Sequence, residues 1–218
     1  MRRSLALALG IAALALAGTA AAAAAAPAFR GTVAPLDSAL RARMTGVSWH
    51  EGCPVALRDL RLVTVSRWGF DGKARTGKLV VHEDVAAGVL AVMRKLFEAR
   101  YPIRRMRLID AYGASDFRSI EAGNTSAFNC RRATGSSSWS QHAYGLALDL
   151  NPIENPYVEG GRVYHAASER YVDRSKRLPG MIHAGDPVVA AFASLGWGWG
   201  GSWSGSVKDY QHFSASGH

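Results

Sequence analysis

Cysteine is scarce in this sequence, with Cys53 and Cys130 the only two among 218 residues. That excludes a disulfide-dense scaffold, and no CxxC pair supports a thiolate metal site. Acidic residues are also few, 17 against 26 lysines and arginines, and the first 26 residues hold none. Internal repeats and low-complexity tracts are absent beyond residue 26. With 48% hydrophobic and 20% charged residues, disorder and a collagen-like chain are excluded, leaving a soluble globular chain with room for one or two domains.

The first 26 residues, MRRSLALALGIAALALAGTAAAAAAA, read as a secretory signal. They give a basic start at Arg2 and Arg3, an apolar stretch from Leu5 to Leu16, and small residues offering A-x-A cleavage sites. A retained membrane anchor is the competing reading, but Gly10, Gly18 and the alanine run make the segment weakly apolar for one. No stable membrane insertion is therefore expected after its removal. Taking its two arginines from 26 basic residues leaves 24 against 17 acids, a net charge of +7 that suits an anionic cell surface. Nucleic acid is not an expected partner, because the cations are scattered and pairs such as Arg104-Arg105 and Arg131-Arg132 form no stripe. An even cysteine count in an exported chain reads as one disulfide. Closing so long a loop would stabilise the fold by about 4 to 5 kcal/mol on the chain-entropy model.

Residues 27–35 read as a linker. Leu36, Leu40 and Met44 recur at helical spacing with Asp37 as N-cap. Leu60 to Phe70, the turn-like DGKARTG and then KLVVH predict a β-hairpin closing near Gly72 and Gly77. Asp84 is read as the cap of the strongest helix, with Leu90, Met93, Leu96 and Phe97 on one stripe until Tyr101-Pro102 stops it. Strands are expected through Met106 to Asp110, at Ala127 to Arg131 and over Gly145 to Leu150. Residues 152–185 read as a polar loop, too polar for core. Asp186-Pro187 has the form of an N-cap and N1 pair opening a last helix before Gly196, and DYQHFS reads as a terminal strand. The sum is one α+β domain over residues 36–218, a mainly antiparallel sheet flanked by helices. It is expected to act as a monomer.

The chemistry lies in SQHAYGLALDLNP, Ser140 to Pro152. Strand alternation puts Leu146, Leu148 and Leu150 on one face and Gly145, Ala147 and Asp149 on the other, so a carboxylate stands on a face cleared of bulk. Such a carboxylate needs a cation or strong donor beside it. His142 would point to the opposite face of a continuous strand, but a bend at Gly145 lets it converge with Asp149. A third ligand is available in Asp209-Tyr210-Gln211-His212. His142, Asp149 and His212 would form a His₂-carboxylate zinc site with a fourth position open for water, and Asp209 has the position of a general base. Taken singly, His212 would be an ordinary histidine, Asp149 a turn cap and Asp209 a partner of Lys208; the joint pattern carries the reading. His50, His82, His165, His183 and His218 lack a comparable partner set.

At these residues the sequence resembles the zinc D-alanyl-D-alanine carboxypeptidases and dipeptidases of VanX/VanY type, together with phage and bacterial L-alanyl-D-glutamate endopeptidases. Their signature is SxHxxGxAxD followed by an acid-x-x-His. Ser140, His142, Gly145, Ala147 and Asp149 match the first part, and Asp209 and His212 the second. The resemblance covers Met106 to Phe213 and places the motif-bearing core at 106–213. It implies zinc held on the sheet by His142, Asp149 and His212, with Asp209 as the base. It also implies an upstream arginine at the substrate, for which Arg131 in FNCR is preferred over Arg118 in DFRS. Ser140 would orient a ligand, and Trp197, Trp199 and Trp203 either line the cleft or close a small core. The implied activity is that of a secreted, cell-wall-associated zinc peptidase acting on peptidoglycan stem peptides, at the terminal D-Ala-D-Ala bond or an internal one. The alternative is a non-catalytic zinc-containing cell-wall binding module. A serine peptidase of SxxK type is excluded, since no serine has a lysine at that offset.

Overall fold

The computed structural model describes residues 27–218, so the leader read over residues 1–26 lies outside the described residues. Among them no helix is long and apolar enough to cross a membrane. The chain opens with β1 (Gly31–Pro35) and α1 (Ser38–Met44). The hairpin β2 (Leu60–Trp68) and β3 (Ala74–His82) leads into α2 (Glu83–Glu98). Short elements follow: β4 (Arg105–Met106), α3 (Asp116–Glu121) and β5 (Asn124–Thr125). The C-terminal half carries β6 (Ala147–Asp149), β7 (Tyr157–Glu159), α4 (Pro187–Ala193), β8 (Gly198–Trp199), β9 (Val207–Asp209) and β10 (His212–Ser214).

The α+β expectation holds, but the strands divide into two three-stranded antiparallel sheets, β1-β2-β3 and β6-β10-β8, with a parallel β4/β5 pair and an antiparallel β7/β9 ribbon. One core joins the sheets. Val63, Val65, Leu79 and Val81 of the first sheet meet Val89, Val92 and Met93 of α2, then Phe192 of α4, then Leu148, Trp199 and Phe213 of the second sheet. Phe192 stacks on Phe213 with ring centroids 3.9 Å apart.

Local rules account for the well-predicted elements. Asp37 accepts the Leu40 N–H at 2.7 Å, and its helix buries Met44. Cys53 and Cys130, separated by 77 residues, form the expected disulfide with Cα atoms 5.9 Å apart.

Several expectations change. The last five residues of the linker, 31–35, are edge strand β1, paired with 61–65 of β2. The hairpin turns within residues 69–73, and Gly77 lies inside β3 opposite Val65, where a Cβ would strike Met106. The cap of α2 is His82, whose Nδ1 accepts the Asp84 N–H at 3.3 Å, and Leu90 is only half-buried beside the fully buried Val89 and Val92. The 106–110 strand stops at Met106 and a 3-10 turn takes Ile109–Tyr112. Residues 127–131 form no strand, because their N–H groups go to three different segments: Phe128 to Val80, Asn129 to His142 and Cys130 to Ser48. Loop 152–185 is polar and largely exposed over residues 159–167 as expected, but residues near its two ends are buried. Ile153, Tyr171 and Met181 form a third apolar cluster, and the fully buried Asn155 satisfies the backbone of Leu150, Gly180 and Ile182.

Candidate metal centre

Two strands present opposite characters on their two faces. In β6, Leu148 points to the core while Asp149 points away; in β10, Phe213 points to the core while His212 points away. The β6/β10 register sets His212 directly opposite Asp149. On its other edge Asp149 forms a backbone bridge with Ser126, so the carboxylate is fixed from both sides. The strand is shorter than Gly145 to Leu150, beginning only at Ala147.

The bend that brings in His142 is a 3-10 turn, Gln141–Tyr144. The Ser140 hydroxyl accepts the His142 N–H at 3.3 Å and opens the turn, and Gly145 closes it at φ +70. A side chain at 145 would be strained at that φ and would also place its Cβ 2.6 Å from the His82 backbone nitrogen. Ser140 therefore positions the ligand through its backbone.

The three side chains meet. His142 Nε2 lies 3.2 Å from one Asp149 oxygen and His212 Nδ1 lies 3.1 Å from the other. One donor atom from each of the three lies within 4.8 Å of the others, so the group could hold a metal ion. His142 Nδ1 donates to the Ala127 carbonyl at 2.5 Å, which fixes the tautomer and leaves the Nε2 lone pair facing inward. That Nε2 is buried, and its contact with the Asp149 oxygen lacks hydrogen-bond geometry. A divalent cation satisfies such an atom, and two imidazoles with one carboxylate form a donor set that zinc accepts.

The electrostatics agree. Burial alone would raise the Asp149 carboxyl, but the neighbouring imidazoles of His142 and His212 hold it well below the usual carboxylate range. Burial would lower the His212 imidazole, yet its hydrogen bond to Asp149 outweighs this and raises it. Asp209 stands at the end of β9, opposite Tyr157. Burial first, and the Asp149 charge second, push its carboxyl up to about 6. Its Oδ1 has no partner among the described residues, and the backbone of Gly200 packs so closely that a Cβ there would sit 2.4 Å from the Asp209 carbonyl oxygen. Lys208 is not its partner, since the ammonium donates to the Trp203 carbonyl instead.

Arg131 is not free, being ion-paired with Asp116. Arg118 is exposed on α3, with its guanidinium over Gly113. Trp197 and Trp199 close the core, whereas Trp203 lies beside the site, 5.9 Å from the His212 ring. His183 bonds the Lys176 carbonyl and lies 3.4 Å from Asp186, a structural role. His50 lies against Cys53 and Cys130, but their disulfide removes the thiolates a metal would need. Two positions escaped the sequence: the Ala127 carbonyl, since any residue supplies one, and Asp116, which no motif spacing connects to Arg131.

A buried His-Asp-His group beside a fourth, unpaired carboxylate on an α+β fold defines a candidate divalent-metal hydrolase site. Residues 134–215 match the family model described as D-alanyl-D-alanine carboxypeptidase, which supports the peptidase family that the motif resembles. The match spans every residue from Ser140 to His212 discussed above and leaves the β1-β2-β3 sheet outside it. No curated protein and no solved structure matches the chain.

Proposed function

We propose that this chain is an exported zinc peptidase that hydrolyses peptide bonds in the stem peptides of peptidoglycan. The observation that carries the reading is the convergence of His142, Asp149 and His212, whose donor atoms all lie within 4.8 Å of one another in a buried setting. His142, Asp149 and His212 are the proposed ligands. When bound, zinc supplies Lewis acidity, which lowers the pKa of a coordinated water to about 7 and polarises a carbonyl.

The remaining work falls to this chain's own groups. Asp209 takes a proton from the attacking water as it adds to the carbonyl carbon, and passes it to the departing amine. Its carboxyl is buried beside the proposed ligands, with Oδ1 free to accept that proton. Arg131 holds the substrate carbonyl oxygen, with Arg118 the second candidate for that contact. Export rests on the first 26 residues, and the proposed peptidase unit begins with β1 rather than at residue 36.

Incubation of the zinc-loaded protein with purified muropeptides, followed by mass spectrometry, tests this reading. Products shortened at a stem-peptide bond are expected. A protein that binds muropeptides and zinc yet leaves every stem intact would be a binding module instead.

A further inference from the structure

The segment carrying Arg131 is held more firmly than a surface arginine requires. Asn129 donates its N–H to the His142 carbonyl at 3.2 Å, and Ser140 donates to the Arg131 carbonyl at 3.1 Å, laying 129–131 antiparallel along the turn that bears His142. Cys130 ties this segment to Cys53, and the Arg132 guanidinium sits 3.7 Å above the Trp139 ring. Both oxygens of Asp116 are then used. One pairs with Arg131 Nε, and the other accepts from the Asn129 amide at 2.8 Å. Asn129, only 4% exposed, also donates to the Ala114 carbonyl at 3.1 Å. The carboxylate is thus held at both oxygens, one of them on the guanidinium. Arg131 Nη1 is turned to the Arg132 carbonyl, and Nη2 forms no hydrogen bond among the described residues.

On the peptidase reading, the charges around the cleft cancel. Asp149 and Asp209 balance a divalent ion, and Asp116 balances Arg131. A substrate carboxylate entering beside them would find no uncompensated cation among these groups, and desolvating it there would be unfavourable. A peptide carbonyl carries no net charge and needs only a donor, which Arg131 Nη2 supplies. We propose that Asp116 is a positioning residue that aims Arg131 and cancels its charge, so that the pair serves a neutral carbonyl and the site does not require a free C-terminal carboxylate on its substrate. Internal bonds are then as acceptable as terminal ones.

The test uses a stem pentapeptide ending in D-alanyl-D-alanine, prepared as the free acid and as the C-terminal amide. Affinity by calorimetry and kcat/KM are measured on the zinc-loaded chain. The parent is expected to treat the two within about threefold, as for weakly felt charges. Asp116→Asn releases the cation, and the ratio should shift towards the acid by about tenfold with metal content unchanged, a shift that a merely structural role would not produce. Asp116→Glu should restore the parent ratio, and adding Arg131→Ala to Asp116→Asn should abolish the shift. A parent that prefers the acid by more than about tenfold, or an Asp116→Asn ratio equal to the parent's, overturns the proposal, and the parent's own ratio decides even if the variant does not fold. A parent that neither binds nor cuts either peptide overturns the peptidase reading, and this proposal with it.

Discussion

The strands β2 and β3 run nine residues each and pair along their whole length, whereas no strand of the β6-β10-β8 sheet exceeds three residues. The first sheet and α2 bury hydrocarbon and satisfy their backbone through regular ladders. Around the second sheet, side chains replace the ladder. Asn151 accepts the Arg104 N–H and donates to the Pro102 carbonyl, Asn155 bonds three backbone groups, and Arg174 bonds the carbonyls of Glu154, Tyr171 and Ile182. Of the buried polar side-chain atoms without a hydrogen-bond partner among the described residues, Arg67 Nε alone lies in the first sheet; His142 Nε2, Asp209 Oδ1 and Gln211 Oε1 lie at the second, and those of Tyr112, Arg131, Glu154, Ser168 and Arg174 lie in the connections between strands. Unmet polar groups destabilise a fold, so they persist where a ligand meets them and where well-packed elements of the same core supply the stability.

That contrast can be broken at the site. Asp149→Ala removes one ligand and the partner of both histidines, so hydrolysis of stem peptides should fall to background in a peptidase assay, with metal lost in parallel. Asp209→Asn should keep the metal and lower kcat by about 10² to 10⁴, the usual worth of a general base. The same variant separates function from stability. The Asp209 carboxyl is raised to about 6 in the folded chain, above the unfolded value of about 3.9. The native state therefore binds the proton more tightly, and stability falls as pH rises from about 4 through about 6. Metal-free Asp209→Asn should melt higher than the metal-free parent at pH 7, and the two should converge at pH 4.

The other side of the comparison is sharpened by changes that touch stability alone. Reducing the Cys53–Cys130 disulfide should lower stability by about 4 to 5 kcal/mol, read by denaturant unfolding with and without reductant. Leu79→Ala in β3, where Leu79 is 1% exposed in the shared core, should cost about 2 to 5 kcal/mol while kcat of the folded fraction stays at the parent value. A drop in kcat would show that the two regions are not separate in this sense.

The same division explains what the sequence made legible. Long elements announce themselves by period, as α2 and the β2/β3 hairpin did. The proposed ligands were legible because Ser140, Gly145 and Ala147 are each required by local geometry, as a turn cap, a positive φ and a fully buried small residue. The strands around them were not, since a two- or three-residue strand is defined by its partners rather than by its own alternation. Residues 127–131 look like a strand and instead share their bonds among three segments. Loop 152–185 looked solvent-exposed because its Glu154, Asn155 and Arg174 are polar, yet Asn155 and Arg174 satisfy its buried backbone and Glu154 pairs with Arg104.

The account stands most directly on the metal. Zinc content of the purified chain and of His212→Ala, measured by mass spectrometry of the metal after dialysis, should give about one ion per parent chain and little in the variant, because two remaining ligands do not hold a dication firmly. A His212→Ala protein carrying the parent's full zinc content would contradict it.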